Sequence, residues 1–328
     1  MALEVELHLQ LQLQLKQLLA GNRRSLAKAI TLVESKKPED QAAAQQLLEA
    51  ALPYSGNSIR IGISGSPGVG KSTFIEAFGL HLINQGKKVA VLAVDPSSPV
   101  AGGSILGDKT RMSELSRHDD AFIRPSPAGI TLGGVAQKTR ETKLFCEAAG
   151  YDVVLVETVG VGQSEYQVAQ MVDFFLVLML PSAGDELQGI KKGIIELADA
   201  LVINKADGDS LQQAKRTQGH YQSAVHLFSG DAQWTPPVLT CSALEGHGIS
   251  EVWQTIVEYE TQSLEGGLKE SKRAQQNLSW MNNLVHEMFE AKLAGNLQLN
   301  SVKKKLEQQV RQGTVSAFAA AKKIIDSM

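Results

Sequence analysis

A glycine-rich stretch that begins at residue 65 places the strongest constraint on how this chain can fold. It runs from Gly65 to Ser72 with the spacing Gly-x-x-x-x-Gly-Lys-Ser. The preceding residues, from Ile59 to Ser64, alternate isoleucine with smaller or polar side chains, as a β-strand does, and a helix-compatible segment follows. A strand, a glycine-rich loop and a helix in this order predict a loop whose backbone N–H groups surround a phosphate.

Two side chains of this loop carry further chemistry. Lys71 can reach the terminal phosphates of a bound nucleotide, and Ser72 is placed to hold Mg²⁺. The residues predicted to bind the nucleotide are Gly65, Ser66, Pro67, Gly68, Val69, Gly70, Lys71, Ser72 and Thr73. The alternative is a glycine-rich turn that binds nothing. Motifs elsewhere in the chain distinguish a nucleotide-binding loop from such a turn.

The composition excludes several classes of protein. Hydrophobic residues make up 43% of the 328 residues and charged residues 20%, which predicts a sizeable core rather than extended disorder. The net charge of −3 offers no basic surface for nucleic acid or for an anionic membrane. Because no apolar run is long enough for a membrane span and no signal-peptide pattern is found, we expect a cytoplasmic protein. Cys146 and Cys241 are the only cysteines, and we expect both to be buried thiols.

The residue patterns divide the chain into a helical N-terminal extension (1–55), a nucleotide-binding domain (56–262) and a helical C-terminal arm (263–328). The first fifteen residues place leucine or valine at nearly every second position, which is typical of a strand, but their glutamine, glutamate and lysine favour a helix. We interpret them as a low-complexity segment that forms a frayed helix. Helical spacing from Arg24 to Glu34 and from Pro38 to Leu52 predicts two more helices.

Short apolar runs alternate with amphipathic segments through the middle of the chain. These runs are Val89–Val94, Val153–Val156, Phe174–Leu180, Leu201–Ile203 and Val238–Thr240. The alternation predicts an α/β fold of the P-loop NTPase type, with a mostly parallel central sheet flanked by helices and with helical extensions at both ends. The ligand is then expected at the carboxyl ends of the strands.

The C-terminal arm has an apolar face that we expect to be buried against another protein surface. Its members are Leu278, Met281, Val285 and Met288, followed by Val302, Leu306 and Val310. A second subunit and the protein's own domain are equally compatible partners for this face.

The segment Asn204-Lys205-Ala206-Asp207 directly follows an apolar run and indicates the identity of the base. The carboxylate of Asp207 can accept hydrogen bonds from the N1–H and the 2-amino group of guanine, whereas adenine offers neither donor at that edge. This selects GTP over ATP. The alternative is that Asp207 or Asp209 only caps the next helix.

A second segment supports the guanine hypothesis. Ser242, Ala243 and Leu244 follow the run Val238–Thr240, at the place where GTPases contact the guanine carbonyl through backbone groups. The residues predicted to bind the base are therefore Asn204, Lys205, Asp207, Ser242, Ala243 and Leu244.

Acidic residues follow two of the apolar runs and predict a metal site. Glu157 and the later Gly160 stand where P-loop proteins place a metal-site acid and a glycine near the γ-phosphate. Glu157 replaces the usual aspartate, and its extra methylene favours contact through water. Asp95 begins a loop rich in proline and glycine that leads to Asp108, and we predict that this loop senses the γ-phosphate. Ser72, Asp95, Asp108 and Glu157 are the candidate Mg²⁺ ligands, although Asp108 and Glu157 also fit a role as caps of the segments that follow.

The residue after Gly160 is Val161, where Ras-like GTPases carry a glutamine that orients the attacking water. Valine cannot do this by hydrogen bonding, and no arginine is obviously placed to assist. We therefore expect slow intrinsic GTP hydrolysis that a partner accelerates.

Four stretches of the chain closely resemble one family, the MeaB/ArgK-type P-loop GTPases, which are G-protein chaperones of adenosylcobalamin-dependent methylmalonyl-CoA mutase. The stretches are Val94–Pro99, Gly102–Met112, Val156–Glu165 and Asp185–Gly193. The resemblance covers most of the chain, but the leucine-rich first fifteen residues do not match the family's usual start.

The resemblance implies a set of roles that the residue patterns alone do not establish. It implies that Lys71, Asp95, Asp108 and Glu157 form the catalytic set for GTP and Mg²⁺, and that Gly184–Lys192 is a further switch. The implied switch residues are Gly160, Asp185, Glu186, Gln188 and Lys191. It also implies a homodimer formed by the C-terminal helices. The implied partner is methylmalonyl-CoA mutase or a related adenosylcobalamin-dependent acyl-CoA mutase, whose cofactor loading GTP hydrolysis would gate.

Three other functions are alternatives to this one. An ATP-dependent kinase linked to basic amino-acid transport conflicts with the guanine-selective Asp207. A GTPase that inserts nickel into a metalloenzyme needs soft or imidazole ligands, and this chain has seven scattered histidines and no Cys-x-x-Cys. A scaffold that uses GTP only structurally is the third alternative.

Overall fold

Seven β-strands in the described part of the chain form one sheet. The computed structural model describes residues 2–94, 112–125, 132–158, 163–181, 192–229 and 233–327. The strands are β1 (Ile59–Gly65), β2 (Val89–Val94), β3 (Ala121–Arg124), β4 (Val153–Thr158), β5 (Phe174–Met179), β6 (Ala200–Ile203) and β7 (Val238–Thr240). They form one sheet in the order β3-β2-β4-β1-β5-β6-β7, and all neighbouring strands run parallel. The strand that precedes the predicted phosphate loop is therefore the central one.

The described part of the chain also contains twelve α-helices. They are α1 (Ala2–Leu19), α2 (Arg23–Glu34), α3 (Pro38–Ala51), α4 (Lys71–Asn84), α5 (Leu132–Ala148), α6 (Gln163–Ala169), α7 (Lys192–Ile195), α8 (Leu211–Ser229), α9 (Ile249–Glu265), α10 (Leu268–Gly295), α11 (Leu297–Arg311) and α12 (Ala317–Asp326). The predicted fold class, a parallel sheet flanked by helices with helical segments at both ends, is confirmed.

All five apolar runs predicted as strands are strands, with bounds that differ by at most two residues at either end. Strand β3, an edge strand of four residues, was not predicted from the sequence. Only Ala121 and Phe122 of this strand are buried, so it lacks the long apolar run that marks the others.

The sheet buries a hydrophobic core on each face because successive side chains of a strand point to opposite sides. On one face Val154 and Val156 of β4 belong to a cluster with residues of α1, α2, α3, α5 and α6. On the other face Val153 and Leu155 belong to a cluster with residues of α4 and α9. The helices therefore hold the carboxyl edge of the sheet in a fixed position.

The leucine-rich N-terminus is the helix α1, so helix propensity outweighs the strand-like alternation. On a helix, apolar residues at every second position fall on two opposed faces. Leu11, Leu15 and Leu18 lie in or against the first core. Leu9 and Leu13 on the other face are 66% and 58% exposed.

A buried ion pair ties the start of β1 to α5. The guanidinium of Arg60 donates from Nε to Glu147 Oε1 at 2.5 Å and from its second terminal nitrogen to Glu147 Oε2 at 3.0 Å. Glu147 also accepts from the Gly56 N–H at 2.8 Å, and the Arg60 N–H donates to Asp173 at 2.9 Å. Both side chains of the pair are almost completely buried.

Replacing Arg60 by methionine is expected to lower the free energy of unfolding by about 3–5 kcal/mol, because Glu147 keeps a buried charge without its bidentate partner. Urea unfolding measures this change. The matched control, exposed Arg24→Met, is expected to change stability by less than about 0.5 kcal/mol. Equal effects of the two substitutions would show that the ion pair contributes nothing specific.

The chain divides into two compact units, Met1–Lys269 and Glu270–Met328. The second unit contains α11 and α12, and Leu299, Leu306 and Ala320 are buried in it. The side chain of Ser316 caps α12 by accepting from the Ala319 N–H at 3.2 Å. None of the helices described combines the length and the hydrophobicity of a membrane span.

Candidate nucleotide-binding site

The predicted phosphate loop leaves the carboxyl end of β1 and enters α4 at Lys71. Strands β2, β3 and β4 lie on one side of β1, and β5, β6 and β7 lie on the other. The loop therefore lies where the order of the strands reverses, which is the usual ligand-binding crevice of α/β sheets.

Gly70 packs the phosphate loop directly against a neighbouring segment. Its φ is +93°, a conformation that favours glycine. A Cβ atom at this position would lie 2.8 Å from the side-chain nitrogen of Asn204. Another residue here would force the loop and Asn204 apart.

Asn204 connects three loops through its side-chain amide. Its Nδ2 donates to the Val69 carbonyl of the phosphate loop at 2.8 Å, and its Oδ1 accepts from the Ala243 N–H at 3.1 Å. The thiol of Cys241 also donates to this oxygen at 3.3 Å. The structure thus brings Val69, Asn204 and Ala243, all predicted as site residues, into direct contact.

Asp207 and Ser242 are also in contact. The Ser242 hydroxyl donates to Asp207 Oδ2 at 2.5 Å and accepts from the Glu245 N–H at 3.1 Å. A short 3₁₀ turn, Gly208–Ser210, follows Asp207, but the Asp207 side chain makes no capping hydrogen bond to it. The alternative that Asp207 serves only as a cap therefore has no support from its contacts. One carboxylate oxygen is held by Ser242, which orients the group.

Lys205 adopts a conformation that is costly for a residue with a side chain. Its φ is +60°, and such strain concentrates at functional sites. The Lys205 Cε lies 3.8 Å from the position that a Cβ on Gly70 would occupy, so the lysine side chain extends over the phosphate loop. Leu244, on the neighbouring loop, is 82% exposed.

The ammonium group of Lys71 lies at the loop. Its Nζ donates to the carbonyls of Gly65 at 2.8 Å and of Ser66 at 3.3 Å. Burial lowers the pKa of Lys71, and the nearby carboxylates of Glu157 and Glu165 oppose this shift. A partly desolvated cation attracts a phosphate strongly, because little water screens the interaction.

Glu157 lies near the end of β4, almost completely buried. It stands beside Ile63 of β1 and Ala93 of β2 in the sheet register. Ser72 lies in the first turn of α4, at the same carboxyl edge. The next residue in β4, Thr158, donates from its hydroxyl to Ser64 Oγ at 3.0 Å, which fixes the strand end beside the phosphate loop.

The remaining predicted site residues lie outside the described residues. They are Asp95, Asp108, Gly160, Asp185, Glu186, Gln188 and Lys191. Among the residues that the structure describes, no group of three or more His, Cys, Asp or Glu side chains forms a metal site.

Three groups at this site were not predicted from the sequence. They are the Cys241 thiol, the Thr158 hydroxyl and the carboxylate of Glu165, which is 2% exposed in the first turn of α6. An acid at the start of a helix is a recognisable signal, but its proximity to Lys71 depends on how α6 packs. No sequence pattern indicates a role for the Cys241 thiol or the Thr158 hydroxyl.

Asn204→Ala is expected to lower the free energy of unfolding by about 2–4 kcal/mol, because it leaves the Val69 carbonyl and the Ala243 N–H buried without their partner. Chemical denaturation measures the loss. GTP affinity is expected to fall as well, since both loops lose their connection. Exposed Asn282→Ala is the control, and an equally small effect of both substitutions would contradict the connecting role of Asn204.

The phosphate loop follows the central strand, and one asparagine joins it to two segments of the guanine-binding type. These features define the protein as a P-loop GTPase. A sequence model of the family described as methylmalonyl Co-A mutase-associated GTPase MeaB matches residues 26–298. This chain belongs to the MeaB family.

Relatives with known names agree with this assignment. The Escherichia coli protein named GTPase ArgK is 50% identical over 303 residues, 92% of either chain. The mouse protein named methylmalonic aciduria type A homolog, mitochondrial, is 47% identical over 315 residues, which cover 93% of this chain and 76% of the mouse protein. A crystal structure of a protein described as LAO/AO transport system kinase is 42% identical, with a TM-score of 0.79 and 96% of either chain covered.

Proposed function

We propose that this GTPase acts as a chaperone of methylmalonyl-CoA mutase or a related adenosylcobalamin-dependent acyl-CoA mutase. In this role, GTP hydrolysis gates the loading of adenosylcobalamin and the protection or reactivation of the mutase. The match to the mutase-associated family over residues 26–298 supports this proposal. The structural observation that supports the GTP-dependent part of this role is the Asn204 amide, which joins the base-binding segments to the phosphate loop.

We assign the base-binding role to Asp207, whose carboxylate is oriented by Ser242. One oxygen accepts from the serine, and the carboxylate retains acceptor capacity for the two donors on the guanine edge. Lys205 covers the base, while the backbone of Ala243 and Leu244 contacts the guanine carbonyl. GTP and GDP are the proposed ligands.

The phosphate loop Gly65–Thr73 holds the phosphates, and Lys71 neutralises the charge that develops during hydrolysis. In that reaction water attacks the γ-phosphorus, the bond to the β–γ bridging oxygen breaks, and GDP leaves with that bond's electron pair. The Lys71 ammonium group donates to the Gly65 carbonyl, so its positive charge is held at the phosphate loop itself.

The oxygen donors at this edge fit Mg²⁺, which prefers hydroxyl and carboxylate ligands. Ser72 in the first turn of α4 and buried Glu157 at the end of β4 would hold the ion, together with Asp95 and Asp108, which lie outside the described residues. When bound, the ion supplies positive charge to the β- and γ-phosphates.

We assign the coupling to the mutase to the segment that contains Asp185, Glu186, Gln188 and Lys191, with Gly160 near the γ-phosphate. The nucleotide and the mutase each favour particular arrangements of these segments, so each changes the affinity for the other.

A homodimer formed through the C-terminal arm is the second part of the proposal. The apolar face of α10 supports it, because its members are more than half exposed in the single chain. They are Leu278, Met281, Val285 and Met288. A second copy would remove this face from water.

Binding of purified mutase to this protein tests the proposal. We expect the affinity for a methylmalonyl-CoA mutase to differ by roughly 5–150-fold between the GDP complex and the complex with a non-hydrolysable GTP analogue. Isothermal titration calorimetry measures both affinities, and a cobalamin-independent acyl-CoA enzyme is the control. Equal affinity in both nucleotide states, or no binding, would overturn the proposed partner without affecting the assignment as a GTPase.

Intrinsic hydrolysis by the isolated protein is expected to be slow, on the order of 10⁻³ s⁻¹ or below, because Val161 cannot orient water. A single-turnover assay with radiolabelled GTP measures this rate, and addition of the mutase is expected to raise it. Rapid hydrolysis without the partner would contradict the prediction.

A further inference from the structure

A cavity of about 770 Å³ lies at the end of the sheet opposite to the phosphate loop. Asp199, in its wall, directly precedes β6, and Trp234 precedes β7. In a parallel sheet the amino ends of the strands share one edge and the carboxyl ends share the other. The cavity is therefore separate from the nucleotide site, and its described lining residues all belong to the first compact unit.

One wall of the cavity is aromatic and held in place. The rings of Trp234 and Tyr259 meet edge to face with centroids 5.1 Å apart, and Tyr259 meets Phe174 in the same way at 5.1 Å. The indole N–H of Trp234 donates to the Asp199 carbonyl at 2.8 Å. Since its only polar group is used within the protein, Trp234 offers a ligand only apolar surface and π-electron density.

The other walls add apolar surface and negative charge. Apolar side chains come from Ile195, Leu197, Val225 and Pro236. The described residues that line the cavity also include three acidic ones, Glu196, Asp199 and Glu265, and no Lys, Arg or His. The Asp199 carboxylate accepts from the Phe175 N–H at 2.8 Å, which fixes it at the start of β6.

These features together select the charge and shape of a ligand. The volume is within the usual range for small-molecule sites, about 300–1,000 Å³. An anion such as a nucleotide, a phosphate or an acyl-CoA would meet three like charges. A cation would meet these acidic residues and the π-electron density of the aromatic wall.

We propose that this cavity binds small organic cations in which an apolar body carries an ammonium group. The apolar body lies along the aromatic wall, and the ammonium group is held by Glu196 and Glu265. This inference does not depend on the proposed mutase partner.

Three probes with the same body and different charge test the proposal on the full-length protein. They are 4-phenylbutylamine, 4-phenylbutanol and 4-phenylbutyrate. We expect the amine to bind roughly tenfold more tightly than the alcohol, and the carboxylate to bind more weakly than either. Tryptophan fluorescence follows the titration, and in Trp234→Phe the response is expected to disappear although Trp253 and Trp280 remain.

Variants separate the charge effect from general hydrophobic binding. The double substitution Glu196→Gln and Glu265→Gln is expected to lower the affinity for the amine by roughly tenfold and to leave the affinity for the alcohol unchanged. Added salt should reduce the preference of the wild type for the amine over the alcohol. The matched control is Glu258→Gln, an exposed acid on α9 that does not line the cavity. GTP hydrolysis should be unchanged in all these variants, which verifies their folding.

The proposal is overturned if the wild type binds the alcohol or the carboxylate as tightly as the amine, or binds no probe at millimolar concentration. An unchanged amine affinity in the double variant also overturns it. The comparison of probes on the wild type decides the matter even if a variant fails to fold.

Discussion

Replacing Lys71 by alanine is expected to reduce GTP hydrolysis by roughly 10²–10³-fold, the usual cost of removing a group that stabilises charge in a transition state. The Lys71 ammonium already lies 2.8 Å from the Gly65 carbonyl and is partly desolvated, so its interaction with a phosphate is weakly screened. Hydrolysis is measured in a single turnover at saturating GTP, and calorimetry measures the affinity, which we also expect to fall.

Lys88→Ala is the matched control for this substitution. Lys88 is exposed and lies just before β2, at the amino edge of the sheet. Both proteins lose one lysine, but only the Lys71 variant loses the charge at the phosphate loop. Equal hydrolysis rates for the two variants would show that Lys71 does not contribute to GTP hydrolysis.

Asp207→Asn is expected to weaken GTP binding by roughly 10²–10⁴-fold, because an amide replaces the acceptor of two charge-assisted hydrogen bonds. The same change should create binding of xanthosine triphosphate. Xanthine has a carbonyl where guanine has the 2-amino group, and the new amide N–H can donate to it. Displacement of a fluorescent nucleotide by GTP, ATP and xanthosine triphosphate measures the change in preference.

Asp209→Asn provides the control, since Asp209 is exposed and only two residues away. It is expected to keep the preference of the wild type for GTP. A variant of Asp207 that keeps its preference for GTP would place the base elsewhere and would reopen the alternative of an ATP-dependent enzyme.

The parts of the fold that are determined by local sequence were predicted well. The buried strands have continuous apolar runs, and the phosphate loop has a fixed spacing of glycines, so both can be found without knowing what packs against them. The edge strand β3 was missed because half of its short length is not fully buried. The form of the N-terminus follows from helix propensity, since the leucines alternate as in a strand whereas the glutamine, glutamate and lysine between them favour a helix.

The site was predictable as a set of residues but not as a set of contacts. The sequence assigns Asn204 to the base-binding segment, yet its hydrogen bond to the Val69 carbonyl joins residues 135 positions apart. The position of Glu165 near Lys71 likewise depends on the packing of α6. Such contacts are set by the tertiary structure, which no local pattern encodes.

The position of Asn204 also affects how binding of the guanine base and binding of the phosphates influence each other. Its amide bonds the phosphate loop on one side and the loop of Ala243 on the other. When the triphosphate orders the phosphate loop, the loop of Ala243 is therefore restricted before the base binds, and the reverse also holds. Binding of the second part of the nucleotide then costs less conformational entropy. Guanosine and inorganic triphosphate should consequently bind with positive cooperativity, and the intact nucleotide should bind more tightly than the two separate affinities suggest.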